Sequence, residues 1–231
     1  TSYCNLNCIH CWLAPTYLDK GEAPEEASFE LLKDIINQAL PLGLGSIKIS
    51  GGEPFLNKNI LPLISYAFAK HLNIDIETNA TLIDDSMAGV LKQNSVRLVA
   101  VSLDGPSQKI HEAMRNKQGC FSQTIEGILL LKKYGLNVQA IMSLYKGNIG
   151  YLEETVDLLE SYGVDSFKIN CISKVSRGQL LKRKNLTLTV ADYLKVNKII
   201  DEKIQPRHKI RIIFDLPPAF QKIEAIKKLR S

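Results

Sequence analysis

The sequence is short of several things, and each shortage excludes something. No apolar run approaches the roughly 20 residues that span a bilayer, so no membrane partner is expected. No charged segment followed by an apolar stretch opens the chain, so nothing in it reads as a secretory signal. Aromatic residues are only 7% of the chain, and none interleaves with the basic run at 182–184, so a stacking surface for nucleic-acid bases is not expected. The four histidines (10, 71, 111 and 208) are too scattered to supply a zinc-binding pair. Cysteines are few as well. There are five, an odd number, and three fall between positions 4 and 11, which is unlike the disulfide framework of a small secreted domain. The reading is a protein of a reducing compartment, the cytoplasm.

What the chain does have is material for a core. With 231 residues, 45% of them hydrophobic, it suits one large α/β domain or two small ones, and one is expected. Both ends read as cut: residue 1 is Thr, the cysteine cluster begins at once, and "IEAIKKLRS" stops inside a helical pattern.

Helical and strand patterns alternate along the chain. Apolar residues at 31, 32, 35, 36, 39 and 40 form a helical stripe over 28–43, with Ser28 as its N-cap and Gly43 as its stop. Strands are expected over 46–50, 74–78, 96–103, 137–145, 166–173 and 208–214. Between them lie helices near 58–72, 83–93, 122–134, 150–162 and 189–204. Crossovers of that length join parallel neighbours, so the fold class is α/β, a parallel sheet covered by helices. Five internal strands are clear, and a first one is missing or barely present before Cys4. Six units make a partial (β/α)6, TIM-like barrel or an open, strongly curved sheet. The chemistry of such folds gathers at the carboxyl ends of the strands. There the sequence places Cys4, Cys8 and Cys11, the run "GGEP" at 51–54, Asn79, Ser102 and Asp104.

Three thiolates leave a coordination position open. A structural zinc site takes four ligands, and His10 could complete one only from a cramped place between Cys8 and Cys11. A [4Fe–4S] cluster normally takes four thiolates, so three would leave one iron free for another ligand.

At this point the sequence resembles a family, the radical S-adenosylmethionine (radical SAM) enzymes. The resemblance rests on the C-x3-C-x2-C of Cys4, Cys8 and Cys11, on "GGEP" at 51–54, "ETNA" at 77–80 and "VSLDG" at 101–105, in that order. Within the family it points to the SPASM-type branch of peptide- and cofactor-modifying enzymes, which includes the anaerobic sulfatase maturases. The resemblance implies that residues 1–231 are a radical SAM core domain, with the basic segment 174–231 closing or extending the barrel. It implies that Cys4, Cys8 and Cys11 bind a [4Fe–4S] cluster whose fourth iron is chelated by S-adenosylmethionine. His10 stands where an aromatic residue often lies beside the adenine. Gly51, Gly52 and Glu53 would receive the methionine ammonium, a three-donor group that needs acceptors. Ser102 would lie near the methionine carboxylate, and Asn79 would make a polar contact to the cofactor. Arg115 is a further candidate for a carboxylate or ribose contact.

The activity implied is reductive cleavage of S-adenosylmethionine to a 5′-deoxyadenosyl radical that abstracts hydrogen from a substrate. The implied partners are an electron donor such as flavodoxin or ferredoxin and a peptide or protein, or a cofactor precursor. A small-molecule substrate, or a non-catalytic metal-binding scaffold, is the alternative. The SPASM-type branch continues into a cysteine-rich extension with auxiliary clusters. No cysteine follows Cys171 here, so that extension is either cut away or absent.

Other residues have blander readings. Cys120 and Cys171 suit buried small hydrophobes, although Cys171 lies in a strand that could face the barrel interior. His111 and Arg115 are one helical turn apart and can share a solvated face. Residues 174–231 carry fifteen Lys and Arg against five Asp and Glu, while the chain as a whole is only +5. Such a face is either simply solvated or attracts an acidic peptide, a nucleic acid or a reductase.

Overall fold

The computed structural model describes residues 1–13, 16–17 and 26–217. The chain opens on β1 (Tyr3–Cys4), which pairs in parallel with β2 (Thr16–Tyr17). Helix α1 (Phe29–Ala39) follows, and Ser28 Oγ accepts from Leu31 N at 3.1 Å, satisfying an amide that the first turn leaves unbonded. The helix expected over 28–43 tightens into a 3-10 turn, Leu40–Leu42, around Pro41 and stops at Gly43, whose φ of +92° is a left-handed conformation open to glycine.

Strand and helix then alternate: β3 (Ser46–Ile49), α2 (Ile60–Ala69), β4 (Asn73–Thr78), α3 (Asp85–Gln93), β5 (Leu98–Ser102), α4 (Gln108–Arg115), α5 (Cys120–Lys133), β6 (Val138–Leu144), α6 (Leu152–Ser161), β7 (Ser166–Cys171), α7 (Gly178–Arg183), α8 (Val190–Ile199) and β8 (Arg211–Asp215). Strands β3 to β8 form one parallel sheet in sequential order, a partial TIM-like barrel. Pairs such as Thr78↔Val101, Ser102↔Ile141 and Leu144↔Cys171 align the carboxyl ends, so the loops that follow leave from one rim.

Successive strand residues point to opposite faces, and here the two faces differ. Ile74 and Ile76 of β4 and Val138, Ala140, Met142 and Leu144 of β6 are buried under the helices, where Phe167, Ile64 and Leu131 complete the core. Each large apolar side chain among them contributes about 1.5–3 kcal/mol on burial. The alternate residues face the barrel interior and are polar and half-open: Asp75 and Glu77, Gln139 and Ser143, Lys168 and Asn170. Ion pairs run along this face, Lys48 with Glu77 at 2.5 Å and Lys168 with Asp215 at 3.0 Å.

The first strand is barely present, as expected: it is two residues long and pairs with β2, and the sixth strand of the sheet is the C-terminal one, β8. The structure departs from expectation in three places. Helix α7 was not anticipated, and α4 only as the turn that joins His111 to Arg115, because each is under nine residues. His111 and Arg115 do not share a solvated face: they are 0% and 7% exposed, since α4 turns them inward toward the cysteine loop. The helix expected over 189–204 widens at Ile200–Ile204 into a π-helical turn. The helical pattern at 223–231 lies outside the described residues. Among the described residues, no helix is long and apolar enough to cross a membrane.

Candidate functional site

The cysteine loop is held by backbone contacts that the sequence makes possible at one glycine. Gly52 N donates to Thr1 O at 3.0 Å and Glu53 N to Tyr3 O at 2.7 Å, so residues 1–4 run against the "GGEP" turn. A Cβ on Gly52 would lie 1.8 Å from Tyr3 O, an impossible distance. Gly51 has φ +152° and Thr1 O 3.0 Å from a built Cβ. The close approach expected of these glycines is thus made to the chain's own loop. Further along, Ile9 N donates to Met114 O at 3.0 Å, which ties the loop to α4.

Cys4, Cys8 and Cys11 all line one cavity of ≈ 190 Å³ at the carboxyl ends of β3, β4 and β5, together with His10, Gly51, Gly52, Glu53, Asn79, Ser102 and Arg115. The structure therefore brings together every site residue expected from the sequence. Burial pushes the Cys4 thiol up to about 11, against an amide bond from Leu6 N that favours the thiolate. Burial also raises Cys8, opposed by the positive charge of Arg115. His10 is held down to about 4 by burial, so its imidazole is neutral, and its Nδ1 has no hydrogen-bond partner among the described residues.

Glu53 and Asn79 are more engaged than the sequence suggested. Glu53 is 1% exposed. Its Oε1 accepts from Thr78 Oγ1 at 2.7 Å and Phe55 N at 3.3 Å, and its Oε2 accepts from Asn79 N at 2.8 Å. Burial raises its carboxyl to about 7, with these three donors working in the opposite direction. Asn79 Nδ2 donates to Asn5 Oδ1 at 2.9 Å, and Asn79 Oδ1 accepts from Thr81 N at 2.9 Å and Thr81 Oγ1 at 2.7 Å. The Asn79 side chain thus fastens the cysteine loop to the end of β4. Ser102 lines the cavity with no hydrogen-bond partner among the described residues.

Sequence reasoning placed Asp104 at the rim without its anchoring role, missed Asn148 and underrated Arg115. Arg115 Nε lies 2.7 Å from Asp104 Oδ2, an ion pair whose angle does not make an aligned hydrogen bond. Arg115 Nη1 donates to Cys8 Sγ at 3.7 Å. Burial opposes the charge on Arg115, but Asp104 and Cys8 hold its pKa above the ordinary value. Asp104 Oδ1 accepts from Ser143 N at 2.9 Å, and Asn148 Nδ2 donates to Asp104 O at 3.1 Å. His111 Nδ1 accepts from Asp104 N at 3.2 Å, and burial lowers His111 to about 3, so it is neutral. The signal available was the Asp of "VSLDG" followed by the helical pair His111 and Arg115. Cys120 is buried, as expected, but packs with Cys4, Leu6 and Cys8, which no spacing rule indicated.

A second cavity, of ≈ 400 Å³, adjoins the first and shares His10, Trp12, Glu77, Ser102 and Arg115 with it. Its remaining lining is Ile141, Ser143, Asn170, Cys171, Ile172, Ser173 and Asp215. Asn170 Oδ1 is buried there without a partner among the described residues. Cys171 lines this cavity but is half-buried rather than the fully buried small hydrophobe expected, and its thiol lies against the Tyr193 side chain of α8.

The donor set suits a cluster better than a single ion. Three thiols face one cavity, yet among the described residues no three His, Cys, Asp or Glu side chains converge on a single ion. A four-iron cluster takes each thiolate at a separate iron, whereas zinc needs all its ligands on one centre.

Comparison with known proteins bears on this geometry. Residues 1–159 match the family described as the Radical SAM superfamily. The chain is 28% identical over 180 residues to the antilisterial bacteriocin subtilosin biosynthesis protein AlbA of Bacillus subtilis, covering 78% of this chain and 39% of that one. It is 31% identical over 188 residues to the Fe-coproporphyrin III synthase of Methanosarcina barkeri, covering 81% and 46%. It spans less than half the length of each of these relatives. Among solved structures, Streptococcus suis SuiB bound to its precursor peptide SuiA superposes with a TM-score of 0.78 at 20% identity, over 99% of this chain and 49% of that one. That likeness shows the fold.

Proposed function

The chain belongs to the radical SAM superfamily, and on that premise we propose that it forms the catalytic core of an enzyme that modifies a peptide or protein. A [4Fe–4S] cluster with S-adenosylmethionine would supply, when bound, one-electron cleavage of that cofactor and from it the oxidant that takes a hydrogen atom from the substrate. Cys4, Cys8 and Cys11 would hold the cluster. Gly51, Gly52 and Glu53 would face the cofactor's ammonium, Ser102 its carboxylate, and His10 and Asn79 the rest of the molecule. Arg115, buried beside Cys8, offsets negative charge where thiolates gather. The barrel walls limit water around the reacting groups.

The observation that favours a peptide is the chemistry of the second cavity. Its rim carries Glu77 and Asp215, its walls are Ser102, Ser143 and Asn170, and one acceptor there is unpartnered. Such a lining suits main-chain amides, which bring donors. A porphyrin, flat and edged with carboxylates, would meet the two acidic side chains Glu77 and Asp215. The names of relatives divide in the same way: the mycofactocin maturase MftC of Mycolicibacterium smegmatis and AlbA on one side, AdoMet-dependent heme synthases on the other. An acidic carrier such as flavodoxin or ferredoxin would supply electrons, and the cytoplasm suits the free thiols.

The test is anaerobic reconstitution followed by electron paramagnetic resonance. A reduced cluster whose spectrum shifts on adding S-adenosylmethionine, with release of 5′-deoxyadenosine, is the expected result. A spectrum indifferent to saturating cofactor would overturn the reading. Offering peptides and coproporphyrin as competitors for the second cavity then separates the substrate classes.

A further inference from the structure

From Ser166 to Ala191 the chain contains no carboxylate and carries Lys168, Lys174, Arg177, Lys182, Arg183 and Lys184. Lys174, Lys182, Arg183 and Lys184 are exposed around α7, and none forms an ion pair with a described carboxylate. Two apolar side chains stand exposed among them, Val175 at 52% and Leu180 at 49%. Lys174, Gln179, Lys182 and Arg183 line an open hollow of ≈ 450 Å³. A basic surface with apolar side chains inside it is what a transient protein partner meets, charge guiding approach and apolar contact holding register.

The place of this surface identifies the partner. Helix α7 is fixed to the cysteine loop: Arg177 Nη1 donates to Asn7 Oδ1 at 2.6 Å, and Leu181 packs in one cluster with Met114, Tyr145 and Ile172, against which Ile9 rests. Gly178 is pressed against β7's outgoing loop, where a Cβ would lie 2.0 Å from Ser173 O. The basic face is thus built directly onto residues 7–9, between Cys4 and Cys11. The hollow shares no lining residue with the two cavities at the rim.

We propose that the α7 face docks an acidic one-electron carrier protein, of the flavodoxin or ferredoxin kind, and that this is where electrons enter the cluster. The inference rests on the proposed function only in taking Cys4, Cys8 and Cys11 as cluster ligands. In the step itself one electron leaves the carrier's reduced flavin or iron–sulfur centre, which is oxidised by one, and the cluster is reduced by one; no bond is made or broken. A nucleic acid fits the surface less well, because residues 172–188 contain no aromatic side chain for base stacking. An acidic peptide substrate fits less well because the hollow shares no lining residue with the cavities where the substrate would react.

The test titrates the reconstituted protein with a flavodoxin and with a [2Fe–2S] ferredoxin at low and high salt, beside the exposed double variant Lys182→Glu/Arg183→Glu and the single variant Val175→Ser. Binding should weaken with salt, and the double variant should raise Kd roughly tenfold or more, as expected when rim charges are reversed. Iron content and the dithionite-reduced resonance signal should stay at the wild-type level in both variants. Equal Kd in wild type and double variant, no binding of either carrier at low salt, or a loss confined to added polyuridylate or polyglutamate would each overturn the proposal. Failure to form any cluster would instead undo the proposed function, while carrier binding to the iron-free protein is measured independently.

Discussion

Arg115 and Asp104 form a buried ion pair, Nε to Oδ2 at 2.7 Å, with side chains only 8% and 0% exposed. Removing one partner of such a pair leaves the other charged without compensation and costs about 3–5 kcal/mol. Asp104→Ala should therefore destabilise the protein by that order, read from urea denaturation, and should release the amide of Ser143 as well. Arg115→Lys keeps the charge but loses the fork that reaches Asp104 and Cys8 together, so it should recover only part of the loss. A variant Asp104→Ala as stable as the wild type would show that the pair is of no structural account.

Gly52→Ala should be the most damaging single-methyl change in the loop. The added carbon would fall 1.8 Å from Tyr3 O, against backbone that has no flexible end to yield. Residues 1–4 would have to move, and with them Cys4. The expected outcome is a protein with near-normal circular dichroism that binds well under the wild-type amount of iron. Full iron loading in Gly52→Ala would show that the turn and the loop separate without consequence.

The fold was legible because its period is simple. The alternation of Ile74, Ile76 and Thr78 with Asp75 and Glu77 marks a strand with one helix-covered face, and the stripe from Leu31 to Leu40 marks a helix. The cysteine spacing and "GGEP" placed the site on one rim. What stayed hidden depends on tertiary approach. Nothing in the local pattern distinguishes Arg115 inward from Arg115 outward on an eight-residue polar helix, nor places Cys120 beside Cys4 and Cys8 across more than a hundred residues. Likewise Asn79 has the chemistry to meet a cofactor, and only the positions of Asn5 and Thr81 reveal that its side chain fastens the loop.

Glu53→Gln tests a residue with two roles. One oxygen becomes an amide NH2 that cannot accept, so either the Asn79 or the Phe55 backbone amide loses its partner, while the Thr78 hydroxyl can turn to accept. An unpaired buried group costs about 1–3 kcal/mol, and loss of charge facing an ammonium should weaken S-adenosylmethionine binding by about 1.5–3 kcal/mol. Iron content should persist. A stability loss with unchanged cofactor affinity by calorimetric titration would leave Glu53 as a clamp alone.

Iron loading should depend on pH in a direction set by the thiols. Burial lifts Cys4 to about 11 and raises Cys8 above its ordinary value, so near neutral pH these two thiols are protonated in the iron-free protein. Each thiolate formed on binding releases a proton, and affinity for iron therefore rises with pH. Reconstitution followed by iron determination should show more iron per chain at pH 8.5 than at pH 7. Loading that falls over this interval would mean that the thiols do not govern uptake.

Cys120 provides the sharpest discrimination at the site, because it is the fourth thiol in reach of the others. It packs with Cys4, Leu6 and Cys8 and is fully buried, yet it does not line the cavity that the three loop cysteines share. Burial pushes its pKa up to about 11, with Glu112 adding to the rise and Arg115 opposing it. A thiol in that position acts as a small apolar side chain. Cys120→Ala should then cost about 1 kcal/mol or somewhat more in stability from the small void, with iron content and the shift of the resonance spectrum on adding S-adenosylmethionine both unchanged. Cys4→Ala, Cys8→Ala and Cys11→Ala should each lose the cluster. If Cys120→Ala instead lost iron while remaining folded, the cluster would have four protein thiolates and no open iron, and the site would be that of an electron carrier.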